Sequence, residues 1–213
     1  MTGKVDIRFT LLTDGSSDDA LMPILRWSII ENGVRGGVQG EWADLRWPKR
    51  RPSGLVDRIT AALHYYPCDL LFVHRDAEGR DMLLERVGEI RQALDRLTIA
   101  KPPVVCVVPV RMTEAWLLLD ERAIRRAAGN PNGREPLALP RPAEIETLPD
   151  PKDTLAALLR DACGLGARRR RRKVRIALVA GRVEDFTPLR SLSAFRVMEG
   201  DLAALIRAQG WDR

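Results

Sequence analysis

The sequence predicts a doubly wound α/β domain, a mostly parallel sheet flanked by helices, with a helical extension at its C-terminal end. Three observations carry this. Leu70 to Val73 and Val104 to Val108 are short, continuous apolar runs bounded by turn residues, the pattern of strands buried on both faces of a parallel sheet. Segments of helix length with apolar residues at i, i+3 and i+4 lie between the strands. The resulting order β-α-β-α-β-α-β is the order of crossover units.

The elements follow in turn. Val5, Ile7, Phe9 and Leu11 alternate with Asp6, Arg8 and Thr10, which predicts a first strand over Val5 to Thr13. Leu21, Ile24, Leu25 and Ser28 mark a helix; Ser16 and Asp19 have capping-box spacing at its start, Pro23 lies near that start, and Asn32-Gly33 stops it. A second strand is expected at Ala43 to Trp47, after a glycine-rich stretch and before the basic turn Pro48 to Pro52. Leu55 to Tyr66 reads as a helix closed by Pro67, and Met82 to Leu97 as another. These elements make a core over residues 1–129. Residues 130–213 form the extension. Asn130 to Pro151 is rich in Pro, Gly and Asn and reads as a loop or lid; Thr154 to Cys163 is a helix ended by Gly164. Ile176, Val179, Ala180 and Val183 have helical spacing, with a short strand as the alternative, and Phe195 to Ala208 is a helix interrupted at Gly200.

At 213 residues the chain can bury a full core. Its apolar runs fall far short of the roughly 20 residues a membrane span needs. The start, MTGKVDIRF, lacks the apolar run of a signal peptide. Cys68, Cys106 and Cys163 are odd in number and set in apolar segments, which suits a reducing, cytoplasmic setting and buried thiols. No Cys/His spacing suggests a structural zinc, and no G-x-x-x-x-G-K-[ST] loop occurs. The net charge is +6, and only five of the 35 basic residues are lysine. Such a balance permits a polyanionic partner, although a GC-rich genome produces the same arginine excess. Position is more informative: Lys49, Arg50 and Arg51 form one run, and Arg168, Arg169, Arg170, Arg171, Arg172 and Lys173 another. Each run is by default a solvated charged face; beside a phosphodiester-cleaving site it would track a nucleic-acid backbone.

Three acidic clusters sit just past predicted strands: Asp14 in TDGSSD, Asp76 and Glu78 in HRDAEG, and Glu114 in RMTEAW. Strand-to-helix loops of a parallel sheet leave from one edge, so these carboxylates converge. Converging carboxylates hold hard divalent cations such as Mg²⁺ or Mn²⁺. Each cluster also has a plainer reading: a helix cap for Asp14, a surface turn for Asp76 and Glu78, an arginine salt bridge for Glu114. His74 reads as a group supporting the ion's ligands or a proton carrier, and His64 as structural.

An acidic residue with glycine after the first strand, followed by a carboxylate pair after a later strand, resembles the TOPRIM domain of topoisomerases, primases, recombination proteins and OLD-type nucleases. TDGSSD, HRDAEG, TEAWLLLD, IETLPDPKD and SLSAFRVMEGDL together resemble a bacterial family of TOPRIM-like proteins found beside ATPases in phage-defence loci. The resemblance implies a Mg²⁺- or Mn²⁺-dependent nuclease, a hydrolase with Asp14, Asp76, Glu78 and Glu114 on the metal and with nucleic acid, DNA before RNA, as partner. A neighbouring ATPase would be a second partner. Lys173 would stabilise charge on the phosphate, beside Asp14, Asp76 and Glu114 as catalytic groups. Topoisomerase and primase chemistry fit less well, because no second domain with a nucleophilic tyrosine and no zinc module is present. TOPRIM domains usually carry Glu where Asp14 stands and Asp where Glu78 stands, so the alternative is a non-catalytic scaffold binding an ATPase or nucleic acid.

Overall fold

The computed structural model describes residues 5–15, 18–46, 52–164 and 176–213. Four strands, β1 (Ile7–Leu12), β2 (Val38–Trp42), β3 (Leu70–His74) and β4 (Val104–Val107), pair in the order β2-β1-β3-β4, and every pairing is parallel. Helices α1 (Leu21–Glu31), α2 (Leu55–Tyr65) and α3 (Leu83–Asp95) connect them. The protein is therefore an α/β fold with a parallel sheet, consistent with a TOPRIM-like arrangement. Strand order reverses between β1 and β3, so the loops after these two strands diverge and open a crevice, where open α/β sheets bind ligands.

Period-2 alternation divides the core. Ile7, Phe9, Leu11, Leu70 and Phe72 point to the side covered by α1 and pack with its Leu21, Ile24 and Leu25. Leu12, Leu71 and Val73 point to the other side and meet Ile59 and Ala62 of α2 and Ile90 and Ala93 of α3. Phe9 and Phe72 lock β1 to β3 through an edge-to-face contact at 5.6 Å.

β2 lies earlier than the expected Ala43 to Trp47; Ala43 to Arg46 are turn and irregular structure, and Trp47 lies outside the described residues. The glycine that disguises this edge strand is required by it. A Cβ on Gly40 would come within 2.2 Å of the Phe9 ring and 2.7 Å of the Met22 methyl. α1 opens through a 3₁₀ turn over Asp18–Ala20, and Ala20 at its N-cap makes no side-chain bond; Ser16 of the expected capping box lies outside the described residues.

In the extension, α4 (Glu121–Ala127) and the four-residue α5 (Pro142–Ile145) precede α6 (Pro151–Ala162), α7 (Ile176–Ala180) and α8 (Ser193–Gln209). α7 resolves the choice between helix and strand. α8 runs unbroken through Gly200, where a Cβ would meet nothing within 4 Å. Leu155, Leu158, Phe195, Met198 and Leu202 join the same apolar cluster as Phe9 and Phe72, so the extension completes the cover of one sheet face. Each such side chain, fully buried, stabilises the fold by about 1.5–3 kcal/mol before entropy is counted. Buried Glu146 ties this cover to the loop after β3: it accepts from Arg80 at 3.0 Å, Ser193 Oγ at 2.7 Å and the Ala194 N–H at 3.0 Å. The Ala194 bond also satisfies one of the free N–H groups at the start of α8. Among the described residues no helix is long and apolar enough to cross a membrane.

Candidate metal centre

His74 ends β3, and alternation puts it on the same side as Leu70 and Phe72, where it is 1% exposed. Its imidazole lies between two carboxylates. Nε2 is 3.1 Å from Asp76 Oδ1, and Nδ1 is 3.6 Å from Asp18 Oδ2. Asp18, in the 3₁₀ turn before α1, is itself buried. One donor atom from each of Asp18, His74 and Asp76 falls within 4.8 Å of the others.

The surrounding residues fix this geometry. The Gly15 N–H donates to Asp18 Oδ2 at 2.9 Å, and a Cβ on Gly15 would sit 2.9 Å from that same oxygen. The turn is braced by Trp42, whose Nε1–H donates to Thr13 Oγ1, which in turn donates to the Gly15 carbonyl. Buried Thr113, in the 3₁₀ turn Thr113–Leu117 after β4, lies 3.4 Å from Asp18 Oδ1 and 3.3 Å from His74 Nε2.

A neutral imidazole carries one proton for the two carboxylates it faces. One nitrogen must then turn a lone pair toward a carboxylate oxygen, and among the described residues Nδ1 is buried without a hydrogen-bond partner. A cation bound at that nitrogen removes that conflict. One imidazole nitrogen with two carboxylates suits a divalent first-row ion.

Glu114 completes the acidic edge. Burial raises its carboxyl above the ordinary value of 4.5; its own N–H and Lys152 oppose the rise, and Asp76 and Asp18 add to it. In the pH window from 4.5 up to the raised folded value, the folded chain therefore keeps a proton at Glu114 that the unfolded chain has released. Stability attributable to this group is lost as pH climbs above 4.5, and below 4.5 both states are protonated and no penalty exists. Glu114→Gln should raise the melting temperature of the metal-free protein at neutral pH, with the gain closing as pH is lowered through 4.5. Thermal melts of both proteins in chelator across that range check it; a variant melting lower at pH 7 would contradict the sign.

All four predicted carboxylates follow C-terminal strand ends, but they do not all meet. Asp76 is in the group, and Glu114 is within its electrostatic reach. Asp14 is turned to the other side, where Arg58 and Arg75 hold it. Glu78 is 83% exposed, with Arg86 3.9 Å away. Lys49, Arg50, Arg51, Arg168 to Arg172 and Lys173 lie outside the described residues. Lys152, at the start of α6, is the basic group that acts on Glu114. Asp18, Thr113 and Lys152 were missed as site residues. The signal for Asp18 was present in TDGSSD, as a second aspartate four residues beyond the first. On the Asp14 side a cleft of about 180 Å³ opens, lined by Thr13, Asp14, Gly15, Trp42, Arg46 and Arg58 among others; it reaches the Asp18-His74-Asp76 group only through the Gly15 turn. Comparison with protein families, curated proteins and solved structures found no match.

Proposed function

We propose that the protein is a divalent-metal-dependent nuclease of TOPRIM-like type, hydrolysing phosphodiester bonds in a bacterial phage-defence system. The observation that carries this reading is the Asp18-His74-Asp76 group at the C-terminal edge of a parallel sheet, Asp18 and His74 buried and Asp76 partly exposed, with one imidazole nitrogen facing a carboxylate across 3.6 Å. Asp18, His74 and Asp76 would hold the ion, Mg²⁺ or Mn²⁺, and Glu114 would stand beside it. When bound, the ion supplies Lewis-acid stabilisation of charge on the phosphoryl oxygens. Thr113 orients Asp18 and His74, and the Gly15 N–H fixes the Asp18 oxygen that faces the ring. Lys152 brings positive charge to the same edge, the role the sequence assigned to Lys173. The TOPRIM resemblance, carried by TDGSSD, HRDAEG and TEAWLLLD, adds nucleic acid as substrate and a neighbouring ATPase as regulator.

The test is cleavage of mixed DNA and RNA by purified protein with Mn²⁺, with and without that ATPase. Cleavage that disappears in Asp76→Ala supports the reading; equal cleavage by both proteins marks a contaminant and overturns it. A scaffold that binds an ATPase or nucleic acid without cutting is the second reading. The capture of Asp14 by two arginines and the outward position of Glu78 favour it, because both stand where TOPRIM domains keep metal-side carboxylates.

A further inference from the structure

Arg58 and Arg75 converge on Asp14, yet neither depends on Asp14 for its position. Arg58 of α2 also donates to the main-chain carbonyl of Thr13. Arg75 places Nε 2.8 Å from Asp14 Oδ2 and its Nη1 3.1 Å from Glu89 of α3. Parity explains the direction: His74 and Asp76 face the α1 side of the sheet, so Arg75 between them faces α2 and α3. The Asp14 side chain is 39% exposed, while those of Arg58 and Arg75 are 23% and 26% exposed. Two partly desolvated, pre-positioned guanidiniums on one carboxylate oxyanion are the arrangement that recognises phosphate.

We propose that Arg58 and Arg75 form a phosphodiester clamp beside the Asp18-His74-Asp76 group, and that Asp14 fills it as an internal anion which a nucleic-acid phosphate displaces. The proposal deepens the nuclease reading and rests on it for the identity of the anion. A partly exposed ion pair adds little stability, so Asp14 can leave at small cost. The arginines stay in place through Thr13 and Glu89, while an arriving phosphate gains charge-assisted bonds and releases counterions. Asp14 and Arg58 line the same cleft as Trp42, whose ring carries the Arg46 guanidinium at 5.2 Å. A base beside the bound phosphate would stack on that indole in place of Arg46. Gly15, also in the cleft lining, holds Asp18 through its N–H, so the clamp and the metal group share one turn.

The experiment is binding of a short labelled single-stranded DNA to the full chain in EDTA, read by fluorescence anisotropy over a salt series. Asp14→Asn should tighten binding about threefold to tenfold and steepen the salt dependence by about one phosphate contact. Arg58→Gln with Arg75→Gln should weaken it, and Asp14→Asn should have no effect in that background. Asp57→Asn makes the same charge change one residue from Arg58 and should not reproduce the gain. Equal tightening by Asp14→Asn and Asp57→Asn, or an undiminished Asp14→Asn effect without the arginines, overturns the clamp. If the double arginine variant fails to fold, the comparison of the two aspartate variants decides alone. Chelation separates this from catalysis. The predicted binding pattern without cleavage under any metal removes the nuclease reading and keeps the clamp, whereas cleavage without the pattern removes the clamp only.

Discussion

Asp18→Ala should abolish Mn²⁺ binding and lower metal-dependent cleavage by roughly a thousandfold or more, whereas Asp14→Ala should leave Mn²⁺ affinity unchanged. The asymmetry comes from the turn after β1. Asp18 is buried, fixed by the Gly15 N–H and Thr113, and faces His74, so its loss deletes one of three converging donors. Asp14 sits only four residues earlier, with both oxygens taken by arginines. Titration calorimetry with Mn²⁺ on the two variants decides between them, and chelator melts show whether each is folded. Loss of affinity in Asp14→Ala with retention in Asp18→Ala would reverse the assignment and restore the pattern expected from the family resemblance.

Much of this architecture is legible in the sequence for a simple reason. β1 betrays itself by alternation, and β3 and β4 by unbroken apolar runs, because a strand covered on both faces has no room for polar side chains. β2 is hidden for the opposite reason. It is an edge strand with Gln39, Gly40 and Glu41 exposed, and Gly40 answers to the Phe9 ring, a contact invisible in local composition. The site shows the same divide. Carboxylates just past strand ends are readable, so Asp76 and Glu114 stood out. Choosing Asp18 over Asp14 requires the path of the turn, which is set by Gly15 approaching Asp18. One residue of strand length mattered as well. With the strand ending at Val73, His74 belongs to a loop and has no assigned direction; with β3 reaching His74, parity sends His74 inward and Arg75 to the opposite side.

His74 should also decide which ion the group prefers. Carboxylates alone make a hard oxygen site suited to Mg²⁺, whereas an imidazole nitrogen adds affinity for Mn²⁺ and other first-row ions. His74→Asn should therefore reduce Mn²⁺ affinity by about a hundredfold while changing Mg²⁺ affinity little, so the preference between the ions narrows. The side chain is fully buried between Asp18 and Asp76, and its Nδ1 has no hydrogen-bond partner among the described residues, so no hydrogen bond of that nitrogen is lost with it. Paired Mn²⁺ and Mg²⁺ titrations, with melts in chelator to confirm folding, measure the difference. An equal loss for both ions would mean that His74 merely spaces the carboxylates. No loss for either would mean that the metal rests on the carboxylates alone.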